Sequence, residues 1–229
     1  MQGVDLPPRV LPAPRLQTAP ANDYTGPVTV ACVLRRSEMY DMRDVELLYS
    51  SVWLHSSRSI SFVCLTDEPT APEGITIVPL EHPEWETKQS KVELFRPDLD
   101  LGRVLYIDLD TLVVGSLEDI YSYTGDFCML ADLEGKPQVC RGSGLMAWGS
   151  DVDWGIYEAF EALDDTVRQG VYRVGGGRSD QLFIHHHTPV RPHAFQSLWP
   201  GQVVGYKSEA GENARVVCYW GRGKPDRCR

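Results

Sequence analysis

The sequence predicts an α/β fold whose sheet is mixed, mostly parallel and flanked by helices. Two patterns predict it. Continuous apolar runs of strand length recur, the first being Val28-Thr29-Val30-Ala31-Cys32-Val33-Leu34, and such runs suit strands covered on both faces. Between them lie segments with apolar residues three and four apart, the period of a helix with one buried face. Alternation of the two patterns indicates parallel strands joined by helices.

Each element follows in order. Residues 1–27 hold six of the sixteen prolines (Pro7, Pro8, Pro12, Pro14, Pro20 and Pro27), which no helix or central strand tolerates. This is an arm, either loose or laid extended over the domain that spans 28–229. The run 28–34 is the first strand. Asp41 then caps a helix with Val45, Leu48 and Val52 on one face. Strands follow at 61–65 and 75–80, and a helical segment at 90–95 is stopped by Pro97. A fourth strand at 103–107 runs straight into Asp108-Leu109-Asp110. Strands are expected at 126–131 and 144–148. A helix is expected over 153–169, with Ile156, Phe160, Leu163 and Val167 on one face. Gly175-Gly176-Gly177 is a turn, a helix begins at 179–185, and a strand returns at 214–219.

Composition bounds the function. The chain has 229 residues, with 22 Lys+Arg against 32 Asp+Glu and a net charge of −10. That excess of acid argues against coating nucleic acid by charge alone. No run approaches the ~20 apolar residues of a membrane span, so no integral membrane segment is expected. No lysine and no apolar segment follow Met1, so no secretory signal is read there. Six cysteines (Cys32, Cys64, Cys128, Cys140, Cys218, Cys228) form no C-x-x-C pair. They read as free thiols in a reducing, cytoplasmic setting, with three disulfides as the alternative.

The chemistry centres on Leu105-Tyr106-Ile107-Asp108-Leu109-Asp110-Thr111. A strand delivers two carboxylates at its C-terminal end, where α/β sheets bind ligands. Residues i and i+2 of a strand share a face, so Asp108 and Asp110 can converge on one hard cation, Mg²⁺ or Mn²⁺, that also holds phosphate oxygens. The plainer alternative is a capping Asp beside a turn Asp. Lys91 lies just upstream, as a ligand contact or a solvated helix lysine. Gly142-Ser143-Gly144 is a small, open turn that lets a ligand approach, or a plain turn. Ser179-Asp180-Gln181 opens a helix, with Ser179 a ready N-cap. Gly221-Arg222-Gly223-Lys224-Pro225 is a glycine loop suited to a diphosphate, or a loose end. Consecutive histidines 185–187 point about 100° apart on a helix and so make no chelating face, which predicts a solvated helix end. Trp85 and Trp199 read as core, or as borders of a cleft.

Taken in order, these pieces resemble one family: the retaining nucleotide-sugar glycosyltransferases of the glycogenin and lipopolysaccharide-galactosyltransferase type, with the Rossmann-like GT-A fold. The resemblance runs from about Val28 to Pro225. It rests on the first strand, Ser90-Lys91-Val92-Glu93-Leu94-Phe95, the segment from Val104 to Leu117 around Asp108 and Asp110, Gly142-Ser143-Gly144-Leu145-Met146, Ser179-Asp180-Gln181 and the terminal Gly221 to Pro225. It implies a metal-dependent hexosyltransferase with a UDP-sugar-like donor. Asp108 and Asp110, flanking Leu109, would bind Mn²⁺ (or Mg²⁺) and the diphosphate. Lys91 would contact donor phosphate or sugar. The Val33-Leu34 edge and Tyr40 would flank the base. Gly142, Ser143, Asp180 and Gln181 would line the sugar, Asp180 and Gln181 nearest its back face. Gly221 and Lys224 would close on the diphosphate. The family's usual third metal ligand, a histidine before the C-terminal glycine, has no counterpart among Cys218, Tyr219 and Trp220. The acceptor stays open: a saccharide, a lipid-linked glycan, a protein or a modified nucleic-acid base. Two rival readings are a non-catalytic nucleotide-sugar-binding protein and a D-x-D phosphatase, although the latter's motif needs threonine where Leu112 stands.

Overall fold

The structure, a computed structural model, describes residues 14–131, 140–149, 154–165, 168, 173–174, 177–178, 180–208 and 211–219. Its strands and helices, in chain order, begin with β1 (Arg15–Leu16), β2 (Val28–Leu34), α1 (Met42–Leu54), β3 (Ile60–Thr66) and β4 (Ile75–Pro79). After a 3₁₀ turn at Gln89–Phe95 come β5 (Val104–Ile107), β6 (Thr111–Val113), α2 (Glu118–Tyr121), β7 (Phe127–Ala131), β8 (Cys140–Trp148) and α3 (Ile156–Glu161). The chain continues through β9 (Arg173–Val174), β10 (Gly177–Arg178), α4 (Asp180–His187), β11 (Val190–Arg191), β12 (His193–Ala194), α5 (Phe195–Leu198), β13 (Val203–Gly205) and β14 (Val216–Cys218).

Seven strands form the central sheet in the order β12-β7-β8-β5-β2-β3-β4. Only β8 runs against the others. β2 lies inside the sheet between β5 and β3, and its alternation sends side chains to both faces. Val28, Val30, Cys32 and Leu34 pack with Val45, Leu48 and Val52 of α1. Ala31 and its neighbours Val63 and Tyr106 pack on the other face with Trp85, Phe160 and Phe183. α1 begins at Asp41, whose carboxylate accepts from the Arg43 amide at 2.8 Å while Asp44 accepts from the Asp41 amide, a capping box.

Several sequence expectations change. The helix expected over 153–169 ends at Glu161, where the Arg168 guanidinium donates to the Glu161 and Leu163 carbonyls at 2.9 and 2.6 Å. A cation on the last carbonyls is a stop. Position 167 of that expected face lies outside the described residues, as do Gly175 and Gly176. The strand expected at 144–148 starts at Cys140, because β7 pairs along it back to Gly142 and Cys140. A three-stranded sheet, β13-β14-β6, accompanies the large one. The strand expected at 214–219 is its β14, whereas β6 and β13, three residues each, carry too little periodicity to be read from sequence. The described end of the arm is tied down. Its β1 pairs with β11, and Gln17 donates to the Phe127 and Arg191 carbonyls at 2.7 and 2.9 Å. Cys32, Cys64, Cys128 and Cys218 are free thiols. Among the described residues no helix is long and apolar enough to cross a membrane.

Candidate functional site

β5 stops at Ile107, so Asp108, Leu109 and Asp110 form a turn rather than a strand end, closed by the Thr111 amide on the Asp108 carbonyl at 3.0 Å. The turn therefore, and not strand alternation, positions the two carboxylates. The Asp108 amide is tied to the Gly144 carbonyl of β8 at 2.9 Å. Its carboxylate accepts from the Tyr106 hydroxyl, directly beneath it on the same strand. Leu109 turns into the core. The Asp110 carboxylate meets the Tyr40 hydroxyl at 3.4 Å.

Lys91 enters from the 3₁₀ turn, and it is no solvated lysine: only 8% of it is exposed. Its ammonium lies 3.1 Å from Asp108 Oδ2, 3.0 Å from Asp180 Oδ2 and 3.0 Å from Ser143 Oγ. An ammonium has three protons, and here all three are engaged. Ser143 in turn donates to Asp180 Oδ2 at 2.6 Å. Four elements thus meet at one ammonium: the 3₁₀ turn, the end of β5, β8 and the start of α4. Burial works against the charge of Lys91, but the Asp108 and Asp180 carboxylates outweigh it and hold the group above its ordinary pKa. Burial likewise opposes ionisation of Asp180. Lys91 and the Ser143 hydroxyl overcome that and hold the carboxyl below its ordinary value. The Tyr106 phenol is pushed well up, first by burial and then by Asp108, so it stays a donor.

The turn that carries Lys91 is itself anchored. Glu93 is fully buried and accepts from the amides of Glu81 and His82 at 2.6 and 3.2 Å, and from Arg96 at 3.2 Å. Arg35, next to the end of β2, donates to the carbonyls of His82 and Trp85.

The other expected site residues fall as follows. Leu34 is buried under α1 and Val33 is half-buried, so the β2 edge offers mainly backbone. Gly142 serves packing, since a Cβ there would stand 2.8 Å from Leu130 Cβ. Gly144 lies beside Asp108, whose Oδ2 would be 3.4 Å from an added Cβ. Gln181 is half-buried on the first turn of α4, and its amide donates to Asp180. Ser179, Trp220, Gly221 and Lys224 lie outside the described residues. Trp85 and Trp199 are core. The histidine end of α4 is less solvated than expected. Of the three only His186 is exposed, and the His187 ring stacks on Phe183 at 3.8 Å. Tyr106 escaped the sequence reading because a tyrosine in an apolar strand reads as core; its polar tip at the strand's last turn was the signal.

Cys218 lies in β14 opposite Thr111. Its thiol is pushed up to about 12, first by burial, with Asp110 and Asp108 adding to the rise. Among the described residues no cluster of three His, Cys, Asp or Glu stands ready for a metal. Asp108 and Asp110 still fit a hard divalent cation on two grounds. They offer oxygen donors, and Lys91 set against Asp108, Asp110 and Asp180 leaves the site with two net negative charges.

A sheet of this order, with paired aspartates where β5 ends, is the GT-A fold of nucleotide-sugar glycosyltransferases. Three solved structures show the likeness. The galactosyltransferase LgtC, in complex with donor and acceptor sugar analogues, superposes with a TM-score of 0.61 at 16% identity over 86% of this chain and 88% of its own. The glycosyltransferase GlyE of Streptococcus pneumoniae TIGR4 gives 0.63 at 15% identity, over 88% of this chain and 56% of its own. The bifunctional glycosyltransferase WbbM gives 0.58 at 11% identity, over 88% of this chain and 47% of its own. No protein-family model matches the sequence, and neither does any curated protein.

Proposed function

We propose that this protein is a metal-dependent glycosyltransferase that moves a hexose from a nucleoside-diphosphate sugar, a UDP-sugar by its resemblance, to an acceptor hydroxyl with retention. The observation that carries the reading is the buried Lys91–Asp108–Asp180–Ser143 network at the C-terminal end of β5. It joins Asp108, one member of a metal-suited carboxylate pair, to a third, locked carboxylate, Asp180, through one lysine. Fold likeness supports glycosyl transfer, and the chemistry of the site supports a metal and a diphosphate.

Transfer breaks the anomeric C–O bond and leaves negative charge on the diphosphate. Asp108 and Asp110 would hold Mn²⁺ or Mg²⁺, which when bound neutralises that charge. Lys91 fixes the carboxylates of Asp108 and Asp180 and supplies a positive field close to the departing group. Val33, Leu34 and Tyr40 border the base, and Ser143, Asp180 and Gln181 border the sugar. Asp180 Oδ2 is committed to Lys91 and Ser143, which makes it a poor nucleophile. That favours front-face attack of the acceptor, with Asp180 and Gln181 stabilising positive charge on the sugar, over a covalent intermediate. By the resemblance Gly221 and Lys224, which lie outside the described residues, would close on the diphosphate.

Turnover of UDP-glucose and UDP-galactose tests the reading. Asp108→Asn and Asp110→Asn are expected to lower it by about a hundredfold or more, and EDTA to abolish it. Full activity in either variant, or indifference to EDTA, overturns it. One observation favours a second reading, a nucleotide-sugar-binding protein without turnover: the positions before Gly221 are Cys218, Tyr219 and Trp220, with no histidine among them. Calorimetry that detects UDP binding in a protein that never releases UDP from its sugar would select it.

A further inference from the structure

The outer face of α1 is more apolar than a solvated helix face requires. Of the seven large apolar side chains that stand exposed among the described residues, three are on α1: Leu47 at 58%, Trp53 at 62% and Leu54 at 76%. Three more border it. Met39 precedes the helix, and Leu112 and Val114 are on β6, along which α1 packs. A single exposed apolar residue needs no explanation, but six gathered around one helix form a patch.

The helical period orders the patch. Arg43, Leu47, Ser50 and Leu54 follow at spacings of four, three and four and share one stripe. Glu46, Ser50 and Trp53 form a second stripe that meets the first at Ser50. All of these residues are exposed, and the buried face of Val45, Leu48 and Val52 lies opposite. Trp53 is held in place: its ring lies 6.2 Å from that of Tyr49, which meets the Phe62 ring edge-on at 5.2 Å. The Ser50 hydroxyl donates to the Glu46 carbonyl at 2.7 Å, and that of Ser51 to the Leu48 carbonyl at 2.8 Å. The middle of the stripe is therefore small and already satisfied within its own helix, so covering it strands no hydroxyl.

We propose that this face docks on the same face of a second copy of the chain, α1 against α1 and antiparallel, about a two-fold axis at Ser50. Two features select a copy of this chain as the occupant. The stripe is self-complementary: an axis at Ser50 sets Leu47 of each copy against Trp53 of the other, because the two stand equally far from it. A serine at the crossing lets the helices approach closely. The charges are also complementary. Arg43 sits in the first turn, where the helix dipole disfavours a cation, while the last turn carries no basic residue. Antiparallel pairing brings Arg43 of each copy to the carbonyl end of the other helix, where the dipole favours it. A lipid surface fits less well. Helices that lie on membranes are rich in Lys and Arg, and α1 holds one arginine against Asp44 and Glu46 in a chain of net charge −10. One helix and a strand edge make a small interface, which sets the dimer Kd at about 10 µM. The dimer is independent of the glycosyltransferase reading.

Sedimentation velocity on the full chain, from about 1 to about 200 µM, tests the proposal. A reversible dimer is expected to grow in across that range. Ser50→Glu and Ser50→Lys each set like charges face to face across the axis and should each raise the dimer Kd at least about tenfold. Mixing the two variants should restore the dimer, since the axis then sets glutamate against lysine. Trp53→Ser should weaken it as well. Circular dichroism should show the helix content unchanged, because positions 50 and 53 are exposed. A wild type that stays monomeric throughout overturns the proposal. So does a dimer that both Ser50 variants retain, which would use another face, or one that mixing fails to restore. Flotation with phosphatidylcholine–phosphatidylglycerol vesicles by a monomeric wild type, lost in Trp53→Ser, would assign the face to a membrane and overturn it too.

Discussion

Lys91 commits its three protons to Asp108, Asp180 and Ser143, and this fixes what its loss would do. Lys91→Met leaves two carboxylates without their counter-charge. Breaking a buried pair costs about 3–5 kcal/mol, and urea denaturation should read a loss of that order. The pair also sets a pH profile. The folded-state pKa of Asp180 is depressed, so its contribution is present above the unfolded value near ~3.9 and is lost as pH falls through the folded value. That of Lys91 is raised, so its contribution is present below about 10.4 and is lost as pH rises through the folded value. Tm should therefore be flat across neutral pH and fall at both extremes. Lys91→Met should flatten the alkaline fall relative to wild type; an unchanged alkaline limb would contradict the assignment. Cys218, with its thiol pushed up to about 12, should resist iodoacetamide at pH 8 in the native protein and react once denatured. Residues of unusual type at a strand end, such as Asp108, were legible in the sequence. Tyr106 was not, because its role depends on a hydroxyl reaching the next residue on its own face.

At the scale of elements, the 3₁₀ turn at Gln89–Phe95 is the piece that aims Lys91. Glu93 holds it to the loop after β4 and to Arg96, which is 6% exposed. Glu93→Ala strands a buried guanidinium and two amides. A loss of about 3 kcal/mol is expected, measured by denaturation, along with weaker activity as Lys91 loosens. Stability unchanged within error would show that Arg96 finds enough support in Asp98 and the Pro79 carbonyl. Gly142→Ala pushes a methyl against Leu130 and should cost about 1–3 kcal/mol through overpacking. The long elements declared themselves in sequence, because seven apolar residues in β2 and three turns of α1 carry a clear period. The 3₁₀ turn read as ordinary helix, since a buried Glu–Arg pair decides its geometry and no spacing encodes that. Of the small sheet only β14 was legible, inside the strand expected at 214–219; β6 and β13, three residues each, exist through their pairing with it.

For the molecule as a whole, the order β12-β7-β8-β5-β2-β3-β4 puts the end of β5 in the middle of the sheet. Strand β8, the one antiparallel member, carries Ser143 back to that end, and α4 brings Asp180 there. The alternation of strands and helices made the mixed, mostly parallel sheet legible, while its strand order and the meeting of four distant segments at one ammonium required the folded chain. At this point two carboxylates hold one lysine and a third, Asp110, follows in the same turn, a net charge of −2 that favours a divalent cation. The central claim is that this cluster takes a metal and a nucleoside diphosphate together. Thermal shift with UDP, with and without Mn²⁺, tests it most directly, because a ligand that binds only the folded state raises Tm by mass action. The account predicts a clear rise with UDP and Mn²⁺ together, little with UDP alone, and none in Asp110→Asn. An equal rise without the metal, or none under any condition, would contradict it.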